Sequence, residues 1–136
     1  MKKVIYFLFL LSCLSCSKNN SNCVDTFCTE EFRTITVTIK NSNGTTVALD
    51  EFKVLISATD IDITRKVNET EFEMMRKSGT YPLFGDEYSS DYENKEVRIN
   101  FIGHINNQEI VNADFTVGAD CCHVILVEGI TEIIIK

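Results

Sequence analysis

The chain has no tryptophan and a single proline, Pro82, among its 136 residues. Without tryptophan, a stacking platform for sugars would rest on the loop tyrosines Tyr88 and Tyr92 of residues 86–93. No apolar run reaches the roughly 20 residues that a membrane-spanning helix needs. No G-x-S-x-G, H-E-x-x-H or phosphate-cradling glycine loop occurs. Downstream of residue 16 the cysteines form no C-x-x-C pair, which leaves a thiol–disulfide redox centre without its motif. Basic charge is in the minority, with 13 Lys and Arg against 20 Asp and Glu and a net charge of −7. That balance argues against nucleic acid as a partner and against electrostatic docking on anionic lipid. No internal repeat is present.

What is there begins with an export leader. Lys2 and Lys3 precede the apolar run 4–11, and "SCLSC" follows. This is the charged, apolar and cleavage-region order of a signal peptide. The cysteine ending resembles a bacterial lipoprotein signal, in which a Leu-x-(Ser/Ala/Gly)-Cys box is cut before the cysteine that takes the lipid. Leu10-Leu11-Ser12-Cys13 fits the box more closely. Cys16, however, leads directly into the polar "SKNNSN", as a lipidated cysteine leading into a solvated tether should. Cys16 is therefore the expected lipidation site and Cys13 the alternative. Removing residues 1–16 takes away two lysines and no acid, leaving 11 basic against 20 acidic side chains, a net −9. The remaining 120 residues are enough for one domain with its own core. The expected address is a bacterial cell envelope, lipid-anchored, with the outer membrane favoured and the membrane itself, through the lipid, as one partner.

Residues 17–31 are polar and aperiodic and read as a tether. From residue 32 the pattern changes. Ile35, Val37 and Ile39 alternate with threonines, and Asn43-Gly44 then supplies a tight turn. Phe52, Val54, Ile56 and Ala58 alternate next. Asn68 as cap, Glu71 three residues on, Arg76 and Lys77 near the end and Gly79 beyond it predict a short helix over 69–78. Phe72 and Met75 should face the core. "TYPLF" carries the proline and suits an edge strand. Val97, Ile99 and Phe101 alternate, Asn106-Asn107 makes a turn, and Val111, Ala113, Phe115 and Val117 face one way. "CCHVILVEG" and "TEIIIK" close the chain. One domain over 32–136 follows: a mainly β sandwich, immunoglobulin-like or transthyretin-like, of seven to eight strands with one short helix.

The "TVTIKNSNGTTVALDEFKV" stretch resembles the opening of immunoglobulin-like and carboxypeptidase-regulatory-like sandwich modules of bacterial surface proteins. The start of "CSKNN", the helix–Gly–"TYPLF" pattern and "VGADCCHV" resemble small surface lipoproteins of the Bacteroidota, over most of residues 32–136. That resemblance implies an address and an architecture; it implies no activity.

Chemistry is sparse. Cys121, Cys122 and His123, with Cys23 and Cys28, are soft enough for zinc or copper, but structural zinc sites come as two spaced knuckles, which these are not. An oxidising envelope favours disulfides over thiolate ligation. Cys121 and Cys122 are expected to bridge Cys23 and Cys28. A Cys121–Cys122 bridge is strained, so two crossed pairings stay open. In an extended strand the two cysteines would point to opposite faces, so a bulge is expected there. On the same strand period His123 would share a face with Cys121, Ile125 and Val127, as a packed or rim histidine with no acid beside it. His104 is expected at the surface. Asp60 and Asp62 read as one solvated strand face. Asp86, Glu87, Asp91 and Glu93 could gather calcium but lack the spaced loop pattern. No cofactor and no catalytic constellation is expected. The function expected is a non-catalytic interaction or structural module whose partner is an envelope or extracellular protein or glycan. The alternative is a binder of a metal ion or glycan.

Overall fold

The computed structural model describes Cys23 and residues 25–136. The leader and both lipidation candidates, Cys13 and Cys16, lie outside the described residues. Among the described residues eight strands form two sheets. β1 (Thr34–Asn41) lies between β4 (Thr80–Gly85) and β8 (Glu132–Ile135) in the smaller one. The larger runs in the order β3 (Ile61–Asp62), β2 (Glu51–Ile56), β5 (Glu96–Ile105), β6 (Gln108–Ala119) and β7 (Val124–Glu128). The mainly β sandwich expected from the alternation is the fold observed.

The inward set of each strand meets between the sheets. Val37 and Ile39 of β1 and Tyr81 of β4 are fully buried from one side, as are Ile99, Phe101 and Val117 from the other. Phe52 stands among aromatic rings, 5.4 Å from Tyr81 and 6.0 Å from Phe101, centroid to centroid. The Tyr81 hydroxyl accepts from Leu49 N at 2.6 Å and donates to Val47 O, so this buried phenol has no unmet polar atom.

The helix α1 (Glu69–Ser78) has the expected bounds. Asn68 Oδ1 accepts from Glu71 N at 2.9 Å. The reciprocal half of a capping box is absent, because the Glu71 carboxylate accepts from Arg65 at 2.7 Å instead. Gly79 ends the helix at φ 65°. A side chain there would meet Thr46 Cβ and Ile39 O at under 3 Å, so glycine serves both the left-handed cap and the close packing of helix end on β1. Phe72 and Met75 pack against the core, as expected.

Two features depart from the alternation. β2 ends at Ile56, whose carbonyl accepts from Thr59 N and Asp60 N; Ala58, expected to continue the strand, is exposed in that turn. Asp60 and Asp62 are exposed as expected, but Asp60 belongs to that turn and not to the strand face expected of the pair; Asp62 accepts from Thr64 N at 2.8 Å. β4 is an edge strand, as Pro82 suggested, but residues 81–85 are all buried. A register shift at Ile35/Thr36 leaves Leu83 without a partner on β1, so both Leu83 and Phe84 are buried. The Asn106-Asn107 turn adopts positive φ at both residues and closes the β5–β6 hairpin. By contrast, the Asn43-Gly44 turn joins strands of different sheets, and β8 returns to pair parallel with β1.

Candidate functional site

The four bridging cysteines, His123 and Asp86 meet where the segment 25–33 crosses the turn between β6 and β7, while His104, Asp60 and Asp62 lie elsewhere. That turn, 120–123, is built by Asp120. Its Oδ1 accepts from Cys122 N at 2.7 Å and His123 N at 2.8 Å, and Asp120 N donates to His123 O. Hydrogen bonds from these two N–H groups hold the Asp120 carboxyl below the usual carboxylate range. The expected strand with a bulge is not what presents the cysteines. β7 begins only at Val124, and a tight aspartate-capped turn swings both cysteines toward the same neighbour.

Cys121 is bridged to Cys23 and Cys122 to Cys28, with Cα atoms 5.2 and 5.3 Å apart. Of the two crossed pairings left open by the sequence, this is the one that keeps chain order on both sides. Because both sulfurs of "CC" are in disulfides, the alternative metal set of Cys121, Cys122 and His123 is not available as such. Among the described residues no three His, Cys, Asp or Glu side chains gather as metal ligands.

His123 has the acid that sequence reading denied it. Its ring is buried, 6% exposed, with Nδ1 2.8 Å from Asp86 Oδ2 and Nε2 3.0 Å from Thr29 Oγ1. Asp86 Oδ2 also accepts from Arg33 N at 2.7 Å, and Oδ1 accepts from Val124 N at 2.8 Å. Burial pushes the Asp86 carboxyl up, but the bonds from Arg33 N, His123 and Val124 N outweigh it and hold the group below its ordinary value. An ionised carboxylate only accepts, so Nδ1 carries the hydrogen, and in the neutral ring Nε2 accepts from the Thr29 hydroxyl. One carboxylate thus ties the approach to β1, the end of β4 and the start of β7.

The order hydroxyl–imidazole–carboxylate is also that of a nucleophilic triad. Its setting is different. The N–H groups beside it, of Cys122, His123 and Val124, already donate to Asp120 or Asp86, so none of these three is left for an oxyanion. The grooves lined by β6 and β8 share no residue with it. The arrangement is suited to holding segments together.

The acidic loop 86–93 is not the open cation loop or sugar platform considered above. Asp86 is committed as described, and Tyr88 and Tyr92 pack on Phe84, with ring centroids 5.0 and 5.5 Å away. Burial raises the Tyr88 hydroxyl above its usual value. His104 is half-buried, not at the surface, and its Nδ1 is enclosed without a partner. Sequence reasoning missed the roles of Thr29, Asp86 and Asp120. Asp120, two residues before a backbone N–H it could cap, carried a local signal. Asp86 and Thr29 act across 37 and 94 residues and carried none. No family model, curated protein or solved structure matches the chain.

Proposed function

We propose that the chain is a lipid-anchored cell-envelope protein whose β-sandwich is a non-catalytic interaction or structural module. One observation carries the reading: the segment just after the lipoprotein-like leader is bridged twice to a late turn, at Cys23–Cys121 and Cys28–Cys122. A tether on a lipid transmits pull to the first residue that is fixed. Without the bridges that residue would be in β1, at the start of a strand that can fray. With them, pull arriving through residues 17–22 meets covalent bonds to the β6–β7 turn. The Asp86 network then holds Arg33 in place behind them. Two disulfides whose cysteines are half-buried or exposed suit an oxidising compartment outside the cytoplasm. Cys121, Cys122, His123 and Asp86 are engaged elsewhere, Tyr88 and Tyr92 pack on Phe84, and among the described residues no metal-ligating cluster gathers, so that second reading has no observation in its favour.

Mass spectrometry of the N-terminal peptide from membrane-extracted protein tests this. A diacylglyceryl peptide beginning at Cys16, "CSKNN", is the expected result. One beginning at Cys13 moves the site, and an unmodified N-terminus in a soluble fraction contradicts the anchor.

A further inference from the structure

The sandwich has four edge strands, and three are blunted. β3 is two residues long, β4 carries Pro82 and a register shift, and β7 is five residues with a shift against β6. Such devices keep edges from pairing with other chains. β8, at four residues, is also short, but it carries no proline and no register shift. It reads Glu132-Ile133-Ile134-Ile135, followed by Lys136, and pairs with β1 alone. Ile134 is 59% exposed. Thr131 O accepts from Thr38 N of β1, so by the alternation of a strand the N–H and C=O of Ile134 point to the open edge. Beside it, β6 is open on its β7 side over 108–115, because β7 takes only 116–119 while β5 pairs along the other side. Grooves of about 560 and 470 Å³ run between the two edges.

The sequence of that edge is complementary to itself. Laid antiparallel about a two-fold axis through Ile134, residues 132–136 place Glu132 opposite Lys136 of a second copy, Ile133 opposite Ile135 and Ile134 opposite itself. Ile134 is then in a hydrogen-bonded pair, in keeping with the direction of its backbone groups. The side chains of Glu132, Ile134 and Lys136 are all exposed, and those of Ile133 and Ile135 are half-buried, so the paired faces match as well. We infer that β8 is a self-association edge. Two copies join through it into a continuous six-stranded sheet, β4-β1-β8 running into β8-β1-β4 of the partner. The occupant is a second copy and not an unrelated peptide, because both charges find their opposites without any other sequence. Few strand residues are shared, so the dimer is weak.

Sedimentation equilibrium of the full oxidised chain, in density-matched detergent, tests the inference with four proteins. These are the wild type, Lys136→Glu, Glu132→Lys and the double exchange. Each single inversion sets like charges opposite each other twice per dimer and should weaken association about tenfold or more. The double exchange restores opposite charges and should return to within roughly threefold of wild type by the same cross-strand term. It does not restore the Lys40–Glu132 ion pair within the chain, so recovery cannot come from that contact. A monomeric wild type, equal association in all four, or a double exchange as weak as the singles would overturn the proposal. Equal association would place the contact elsewhere, for example in the apolar run 4–11.

Discussion

The turn 120–123 and the edge strand β8 are held in opposite ways. Around the turn, the incoming segment buries almost nothing: Phe27 is 99% exposed and Phe32 63%. Two disulfides, an aspartate-capped turn and a carboxylate with three donors hold it instead. At β8 there are no such links, and Ile133 and Ile135 are kept in place by pairing with β1 and by packing on the core. The lesson concerns which force is used where. Apolar burial holds β8, because every second residue reaches the core. The lead-in leaves even its phenylalanines in solvent, so it is fixed by bonds that need no burial.

The largest expected effect breaks the clamped region. The two bridges overlap, each loop enclosing one cysteine of the other, with sequence separations of 98 and 94. Either one alone closes the long loop, worth about 4.7 kcal/mol in the chain-entropy model for 100 residues. The other then closes a ring of roughly eight residues, worth about 2.5 kcal/mol on the same model. Replacing Cys23 and Cys121 by alanine, or Cys28 and Cys122, should each cost about 2.5 kcal/mol, but replacing all four about 7 kcal/mol. Urea unfolding of the three variants would show the excess. Simple additivity of the two pair deletions would contradict the overlapping-loop account.

Asp86→Ala comes next. It removes the acceptor of Arg33 N, His123 Nδ1 and Val124 N together, and should cost about 3 kcal/mol, mostly from the two part-buried donors of His123 and Val124 left without a partner. Asp86, Asp120 and Asp62 also give the pH dependence. Their pKa values are lowered in the folded chain, so the unfolded chain binds protons first as pH falls. Their stabilisation is fully present above about pH 4, the unfolded aspartate value, and is lost as pH falls through the folded values. Acid titration of urea stability should show a decline that Asp86→Asn makes shallower. An unchanged slope would mean that Asp86 is not held as described.

Much of this was legible along the chain, and the reason is range. The helix was read with its bounds because Asn68, Glu71 and Gly79 act within one turn of each helix end, where sequence and structure share a scale. Strands were read because every second side chain of β1, β5 and β6 meets the core. Ala58 was overrun because alternation does not mark where a turn stops it; the positive φ of Asp60 does, and that residue is not a glycine. The partners of Asp86 and the parallel return of β8 to β1 depend on residues far apart, and no periodicity reports them. The cysteines were half-legible: chemistry restricted their pairing, and only the Asp120 turn chose between the two crossed patterns.

Smaller effects sharpen the contrast. Asn68→Ala should cost about 1 kcal/mol through the lost cap on Glu71 N. Circular dichroism would show the helix intact but less stable, and no loss would mean that Arg65–Glu71 alone holds the first turn. Ile134→Thr, on an exposed position of β8, should change stability by less than about 0.5 kcal/mol. A large loss in that variant, measured by the same urea titration, would mean that this residue belongs to the core and not to a free edge.

The central claim is that the lead-in segment is clamped in order to the 120–123 turn. Non-reducing peptide mapping of protein taken from the envelope tests it most directly. The account predicts two linked pairs of peptides, Cys23 with Cys121 and Cys28 with Cys122, separable by cleavage between the cysteines of each pair. A Cys121–Cys122 bridge, the exchanged pairing of Cys23 with Cys122, or four free thiols would contradict it.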